Sequence, residues 1–341
     1  MGEELFINTI GEDQVLNSYN IARNCDIVYS EIISIKNFNQ LNIKEYNIIF
    51  NDGTKVFYSL KNFNLKENDV IFCNTYLINS LFSMLKKNKT LKNIKLITHQ
   101  TDLAITKKVF VKKPDCVSEW YSINVSHESE KLISIPIGLS NDYSPKNIFK
   151  KDYKDLKSID LENKENKIYA NFQKNTNNKV RENLEKKMLN KDSIVHDTPM
   201  LSSKNYLLNL HKFKFVIAPE GNGIDTHRIW ESIYAGSIPV IKKHINFKNF
   251  NDLPILQLNN LDQVDIYNLE KISSYISEEM FLSNKLSIKY WIDLINKNQQ
   301  MLLRLYPKIF LTMLRSCLTY QHRKMQQSPF GYILITAKKK K

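Results

Sequence analysis

The sequence predicts an α/β protein made of two Rossmann-like domains. Three observations carry that prediction. The chain has 341 residues, which at roughly 150 residues per domain suggests two. Short runs rich in Ile, Val, Phe and Tyr alternate with segments of helical period in both halves. In the second half the order strand, helix, strand repeats, the pattern that builds a parallel sheet with helical crossovers. Hydrophobic residues make up 42% and charged residues 25%, enough apolar material for a sizeable core, which excludes wholesale disorder.

The first half begins with strand candidates at 26–34 and 46–50. Asn51-Asp52-Gly53-Thr54 is a turn signal, and 55–60 follows as a hairpin partner. The short apolar runs 70–73 and 94–98 read as strands. Leu77, Leu81, Met84 and Leu85 recur between them at helical spacing. A further strand over 132–135 ends in Pro136-Ile137-Gly138. Residues 143–166 are charged and lack apolar periodicity, and read as a linker. The second half then gives strands at 168–172, 193–196, 213–218 and 238–241. Helices at 176–188, 203–210 and 226–234 lie between them, and a long helix is expected around 277–296. The domain boundaries that follow are 1–145, a linker over 146–166, 167–300, and a basic C-terminal helix and tail over 301–341.

Net charge is +14, but nine basic residues and no acidic one fall in 301–341, which leaves 1–300 at only +5. The basicity is mainly a tail property and is poor support for a nucleic-acid partner; no RNA- or DNA-reading motif is present. Within 302–320, Arg304, Lys308 and Arg315 fall within about 40° of one another on a helical wheel, opposite Leu302, Tyr306, Ile309, Met313 and Cys317. That basic amphipathic pattern suits either an anionic membrane surface or a terminal helix packed on the domain. Cys25, Cys73, Cys116 and Cys317 are scattered without CxxC spacing, which fits a reducing compartment. The N-terminus is acidic and lacks an apolar signal core, and no uninterrupted 18-residue apolar run occurs. A cytoplasmic protein, with membrane association through the tail, is the resulting expectation.

The segment richest in chemistry runs from Phe213 to Ile241: a buried strand, a turn, a helix and another strand. Two of the chain's eight glycines, Gly221 and Gly223, flank Asn222 at the strand end, where backbone can approach a ligand closely. Asp225 or Thr226 can cap the following helix, whose N-terminal amides suit a diphosphate. Arg228 or His227 can add charge-assisted hydrogen bonds to phosphate oxygens. Glu231, one turn in, is placed to accept from two ribose hydroxyls. Ile229 and Trp230 read as core, and Gly236 as a helix C-cap. Each feature alone occurs in many loops without function. Together, at the C-terminal edge of a strand, they occupy the usual ligand position of open α/β sheets.

The run Ala218-Pro219-x-Gly221-Asn222-Gly223-x-Asp225-Thr226-His227-Arg228-x-Trp230-Glu231, followed by Gly236-x-Ile238-Pro239-Val240, resembles the C-terminal motif of exostosin-like glycosyltransferases. The resemblance implies a GT-B-like fold, with two Rossmann-like domains facing across a cleft and C-terminal helices added. It implies a nucleotide-sugar donor, UDP- or GDP-linked, held mainly by the second domain, and a glycan or lipid-linked glycan acceptor. No tightly bound cofactor is expected. Glu220 stands where many exostosin relatives carry Arg; an acidic group there cannot pair with phosphate and suits a sugar or ribose hydroxyl. Tyr169-Ala170-Asn171-Phe172, with Thr176 and Arg181, resembles the first strand–loop–helix of a donor domain. That places Asn171 at a strand end and lets Arg181 reach the diphosphate. The segments 120–124 and 135–139 also resemble this group, and are expected as loops facing the cleft.

Glycosyl transfer needs a stabilised leaving diphosphate, an activated acceptor hydroxyl and exclusion of water. No DxD triplet lies at a strand end, and His227 and His244 match no metal-ligand spacing, so metal-independent transfer is expected. Candidates for the acceptor's base are Asp102 and His99, in Thr98-His99-Gln100-Thr101-Asp102, and Glu119. Two other readings stay open: a non-catalytic nucleotide- or sugar-binding relative, and a basic nucleic-acid-binding protein.

Overall fold

A seven-stranded sheet and a five-stranded sheet organise the molecule. The computed structural model describes residues 3–144, 147–188, 191–197, 201–261, 264 and 266–296. Residues 302–341, on which the membrane-surface reading rests, lie outside the described residues.

The first sheet contains β1 (Ile27–Ser34), β2 (Tyr46–Asn51), β3 (Lys55–Leu60), β4 (Val70–Asn74), β5 (Ile94–His99), β7 (Val117–Ser122) and β9 (Leu132–Ser134), in the order β2-β3-β1-β4-β5-β7-β9. From β1 to β9 all neighbours are parallel, while β2 and β3 add an antiparallel hairpin at one edge. A small parallel pair, β6 (Ile105–Thr106) with β8 (Val125–Ser126), flanks it. The helices of this half are α1 (Phe6–Thr9), α2 (Ser18–Arg23), α3 (Ile35–Phe38), α4 (Ile78–Lys87) and α5 (Lys107–Phe110). Strands β4 and β5 are buried at every residue, as parallel strands covered on both faces must be. Helix α4 buries Ile78, Leu81, Phe82 and Leu85, and Phe82 meets Trp120 edge-on with ring centroids 5.5 Å apart.

The second sheet is wholly parallel: β10 (Glu165–Ala170), β11 (Ile194–His196), β12 (Phe213–Ile217), β13 (Ile238–Lys242) and β14 (Leu256–Leu258), in the order β11-β10-β12-β13-β14. Its helices are α6 (Asn178–Met188), α7 (Ser203–Lys212), α8 (His227–Tyr234) and α9 (Ile266–Ile272). Chain direction reverses between β10 and β12, because β10 leads outward to β11 while β12 leads the other way to β13. This is the switch point of a doubly wound sheet, where such folds open a crevice at the C-terminal strand ends. Ile229 and Trp230 are buried in the core, and Gly236, at φ +73°, ends α8 in the left-handed conformation a non-glycine residue adopts at a cost.

Three expectations change. Residues 120–122 are not loop: they are the end of β7, with Trp120 and Tyr121 buried, and only Ile123 and Asn124 emerge beyond the strand. An apolar run cannot face a solvated cleft when a parallel sheet is there to cover it. The helix expected around 277–296 is broken into two 3₁₀ turns, Glu278–Leu282 and Asn284–Leu286, and α-helix begins only at Ile288. Ser283 accepts from the Lys285 amide and Ser287 donates to the Asn284 carbonyl, local bonds that compete with a continuous helix. Strand β14 has no counterpart among the expected elements.

The segment 143–166 is charged yet holds Ile148, Tyr153 and Ile159 in the interior. Residues 3–291 form one unit with both sheets. The described start of a second unit, 292–296, is helical.

Candidate functional site

A cavity of about 260 Å³ opens at the switch point of the second sheet. Its wall is built from four places. Asn171 and Gln173 follow β10, and Thr176 and Arg181 belong to the turn and helix after it. Tyr206 comes from α7. Thr226, His227, Arg228 and Glu231 form the first turns of α8. Ser140, Ser144 and Ile148 come from the segment that follows β9 in the first half. Six of the residues singled out in the sequence therefore meet here: Asn171, Arg181, Thr226, His227, Arg228 and Glu231.

Helix α8 presents its N-terminus to this cavity. Thr226 is the N-cap residue by conformation, with φ −133° and ψ 144°, yet its side chain makes no capping bond. The Thr226 hydroxyl is buried without a hydrogen-bond partner, as are Nε of Arg228 and the hydroxyl of Ser140. Each such group costs about 1–3 kcal/mol unless something bonds it. Three of them on one cavity wall, with an uncapped helix N-terminus, can offer hydrogen bonds to a negatively charged group. Among the described residues no carboxylate forms a salt bridge with Arg228. Its guanidinium carbon lies 5.9 Å from the Tyr206 ring centroid.

The two arginines differ in what they hold. Arg181 donates to the carbonyls of Gln173 (2.8 Å), Pro219 (3.0 Å) and Glu220 (3.0 Å) and to the Thr176 hydroxyl (2.5 Å). Four of its five donors are engaged by the loop, so in this arrangement it fixes the strand-to-helix turn rather than offering a free fork to phosphate. Burial and the neighbouring Arg228 lower its pKa to about 10. Glu231 is buried and accepts a 2.8 Å hydrogen bond from Tyr206. Tyr206 was not legible as a site residue, because it sits on a helix whose apolar period gives it an ordinary packing role.

The loop between β12 and α8 is anchored by the first half. Asn124, fully buried and at φ +55°, accepts from the amides of Ile224 and Asp225, both at 2.8 Å, and donates to the Thr101 carbonyl at 3.0 Å. A Cβ on Gly223 would lie 2.9 Å from Asn124 Nδ2 and 3.1 Å from Asp102 Oδ1, so only glycine lets the two halves approach this closely. Asp225 accepts from the Ile137 amide (2.9 Å) and the Trp230 indole (2.9 Å). Burial pushes its carboxyl up to about 7. His227 donates through Nδ1 to the Gly138 carbonyl at 2.7 Å. Segment 135–139 thus bonds to the second half through Ile137 and Gly138. Glu220, Gly221, Asn222, Gly223 and Asp225 shape this loop and are not part of the cavity wall.

The three candidate bases stand in different surroundings. Glu119 lies in the body of β7, three residues before its C-terminal end and so about 10 Å back along the strand. It pairs at 2.5 Å with the fully buried Lys95 and accepts from Tyr121 at 2.6 Å. His99 ends β5 in the interior. Its Nδ1 accepts from the Gln100 amide at 2.8 Å, which leaves the ring proton on Nε2. Burial and the nearby His227 lower its pKa to about 3, so it stays neutral. Asp102 is exposed and stands against Gly223 of the loop between β12 and α8. Among the described residues no group of three His, Cys, Asp or Glu is arranged to hold a metal ion, and no helix is long and apolar enough to cross a membrane.

No protein-family model matches this chain, and no curated protein matches it. Among solved structures it is similar to an α1,3-fucosyltransferase with GDP-fucose (11% identity, 69% of this chain and 78% of that chain, TM-score 0.36). It is similar also to a UDP-forming α,α-trehalose-phosphate synthase from Burkholderia xenovorans (10% identity, 69% and 74%, TM-score 0.38). A third is the pneumococcal O-GlcNAc transferase GtfA in complex with UDP and GlcNAc (11% identity, 76% and 65%, TM-score 0.38). Likenesses this distant carry no weight for what the chain binds. The chain's own geometry shows an α/β protein with two large sheets, and a cavity at the switch point of the second into which polar and charged side chains are gathered.

Proposed function

We propose that this chain is a glycosyltransferase of the GT-B kind, exostosin-like in its second half, that takes a nucleotide-sugar donor in the cavity at α8. The observation that carries the reading is the set of buried, unpartnered polar atoms on one cavity wall: the Thr226 hydroxyl and Arg228 Nε beside an uncapped helix N-terminus. These suit a diphosphate, and Glu231, held by Tyr206, suits the hydroxyls of a ribose one helical turn further in. The donor class is UDP- or GDP-sugar, and the acceptor a glycan or lipid-linked glycan. Residues 1–145 supply the acceptor side and residues 167–300 the donor side.

In the reaction the acceptor hydroxyl oxygen bonds to the anomeric carbon as the bond from that carbon to the β-phosphate oxygen breaks. The nucleoside diphosphate leaves with the electron pair. The hydroxyl proton passes to a carboxylate, and Asp102 is the candidate that stands at the donor-side loop. Charge developing on the leaving diphosphate is met by Arg228 and the α8 amides. No metal ion is part of this scheme.

Titration calorimetry with UDP and GDP tests the binding half of the proposal. Arg228→Ala removes a charge-assisted partner worth about 1.5–3 kcal/mol, so affinity falls by roughly 10- to 150-fold. Glu231→Ala lowers it by a similar factor through the ribose. Full affinity in both variants refutes the site.

A further inference from the structure

We infer that Ser140, contributed by the first half of the chain, is a ligand of the donor's diphosphate. The inference rests on the donor-site reading above and extends it across the two halves. Ser140 follows β9 by six residues and lies outside the second sheet and its helices. Its hydroxyl oxygen is nevertheless buried without a partner on the wall of the donor cavity.

Its place along that wall is fixed by its neighbour in sequence. Gly138, two residues earlier, accepts the 2.7 Å hydrogen bond from His227, the first residue of α8. Two residues of chain span at most about 7 Å. Ser140 is therefore held within about 7 Å of the carbonyl that His227 bonds, on the same cavity wall as Thr226 and Arg228. On the donor-site reading, the diphosphate lies at this wall, against the Thr226 hydroxyl and Arg228 Nε. A serine hydroxyl can donate one hydrogen bond to such an oxygen, and the charge on the acceptor strengthens it.

The segment that carries Ser140 is tied on both sides. Leu139 donates its amide to the Leu16 carbonyl at 2.7 Å, and Asn141 bonds Ser18 at 2.6 Å and accepts from the Tyr19 amide at 3.3 Å. A Cβ on Gly138 would fall 2.2 Å from the Leu16 carbonyl oxygen, and φ there is +68°, so this approach requires glycine. Ser140 is thus presented by a segment fixed to the first half. The diphosphate becomes a bridge between the halves: Arg228 and α8 reach it from the second and Ser140 from the first.

The test is calorimetric binding of UDP, GDP and the matching nucleosides, uridine and guanosine, to the full chain. Ser140→Ala is expected to weaken the preferred nucleoside diphosphate by about 5- to 20-fold while nucleoside affinity is unchanged, and Ser140→Thr to restore most of the loss. Thermal unfolding without ligand is expected to match the wild type, which separates lost contact from lost folding. Equal diphosphate affinity in Ser140→Ala and wild type overturns the role of Ser140 and leaves the donor site standing. A wild-type chain that binds neither UDP nor GDP overturns the donor-site reading and this inference with it.

Discussion

Removing the side chain of Asn124 tests how the loop between β12 and α8 is held. This one fully buried side chain satisfies two backbone amides of the opposite half, those of Ile224 and Asp225, and itself donates to Thr101. In Asn124→Ala both amides lose their acceptor in the interior, at about 1–3 kcal/mol each. The residue also sits at φ +55°, a left-handed conformation that costs alanine about 1 kcal/mol more than it costs asparagine or glycine. The expected loss is about 3–7 kcal/mol, a large part of the 5–15 kcal/mol by which proteins are stable. Asn124→Gly removes the same bonds without the conformational cost and should lose about 1 kcal/mol less. Urea unfolding followed by tryptophan fluorescence is the assay, since Trp120, Trp230 and Trp291 are all buried. If both variants unfold within about 1 kcal/mol of the wild type, the loop is not held by Asn124 and the account of the interface is wrong.

Two further outcomes follow from the buried charges. Arg181→Met strips four donors from the turn before α8 and should cost about 3–5 kcal/mol in a melt, whereas Arg228→Ala should change stability by under about 1 kcal/mol; equal losses would contradict the division of labour between the two arginines. The Asp225 carboxyl is raised from 3.8 to about 7, so its favourable contribution is complete below pH 3.8 and is lost as pH rises through about 7. His99, lowered from 6.5 to about 3, contributes in the opposite sense: its share is present above 6.5 and lost on acidification. The clean measure is therefore the stability difference between wild type and Asp225→Asn, which should move against the wild type by up to about 4 kcal/mol between pH 4 and 8. A flat difference would show that Asp225 does not titrate in that window.

How much of this was legible in the sequence depends on whether the signal was local. The run from Phe213 to Glu231 announced strand, turn and helix, because an all-apolar strand, two glycines and a polar helix start are neighbours in sequence. The alternation that gave the second sheet is likewise local. Trp120-Tyr121-Ser122 was misplaced because a strand covered on both faces has no alternation to distinguish it from an apolar loop. The break at Ser283 depends on side-chain bonds that compete with the helix, which period alone does not register. Ser140 and Tyr206 owe their place to contacts with residues far away in sequence, and neither residue type stands out in its own segment. Arg181 stands out in the sequence only through the resemblance carried by 169–172 and Thr176, and its direction, toward three loop carbonyls, is set by the packing of α6 against the turn and not by its own neighbours.

The contacts that join the two halves at the loop are made largely to main-chain atoms: the amides of Ile137, Ile224 and Asp225 and the carbonyl of Gly138. Their partners Asn124, Asp225 and His227 are few. A seam of this kind tolerates drift in most of the loop's side chains, since every residue offers the same peptide groups. During synthesis Asn124 leaves the ribosome about a hundred residues before Ile224, so the acceptor for the loop's amides is made before the loop itself. The second half expressed alone would carry the glycines and Arg228 but not the surface that shapes their loop.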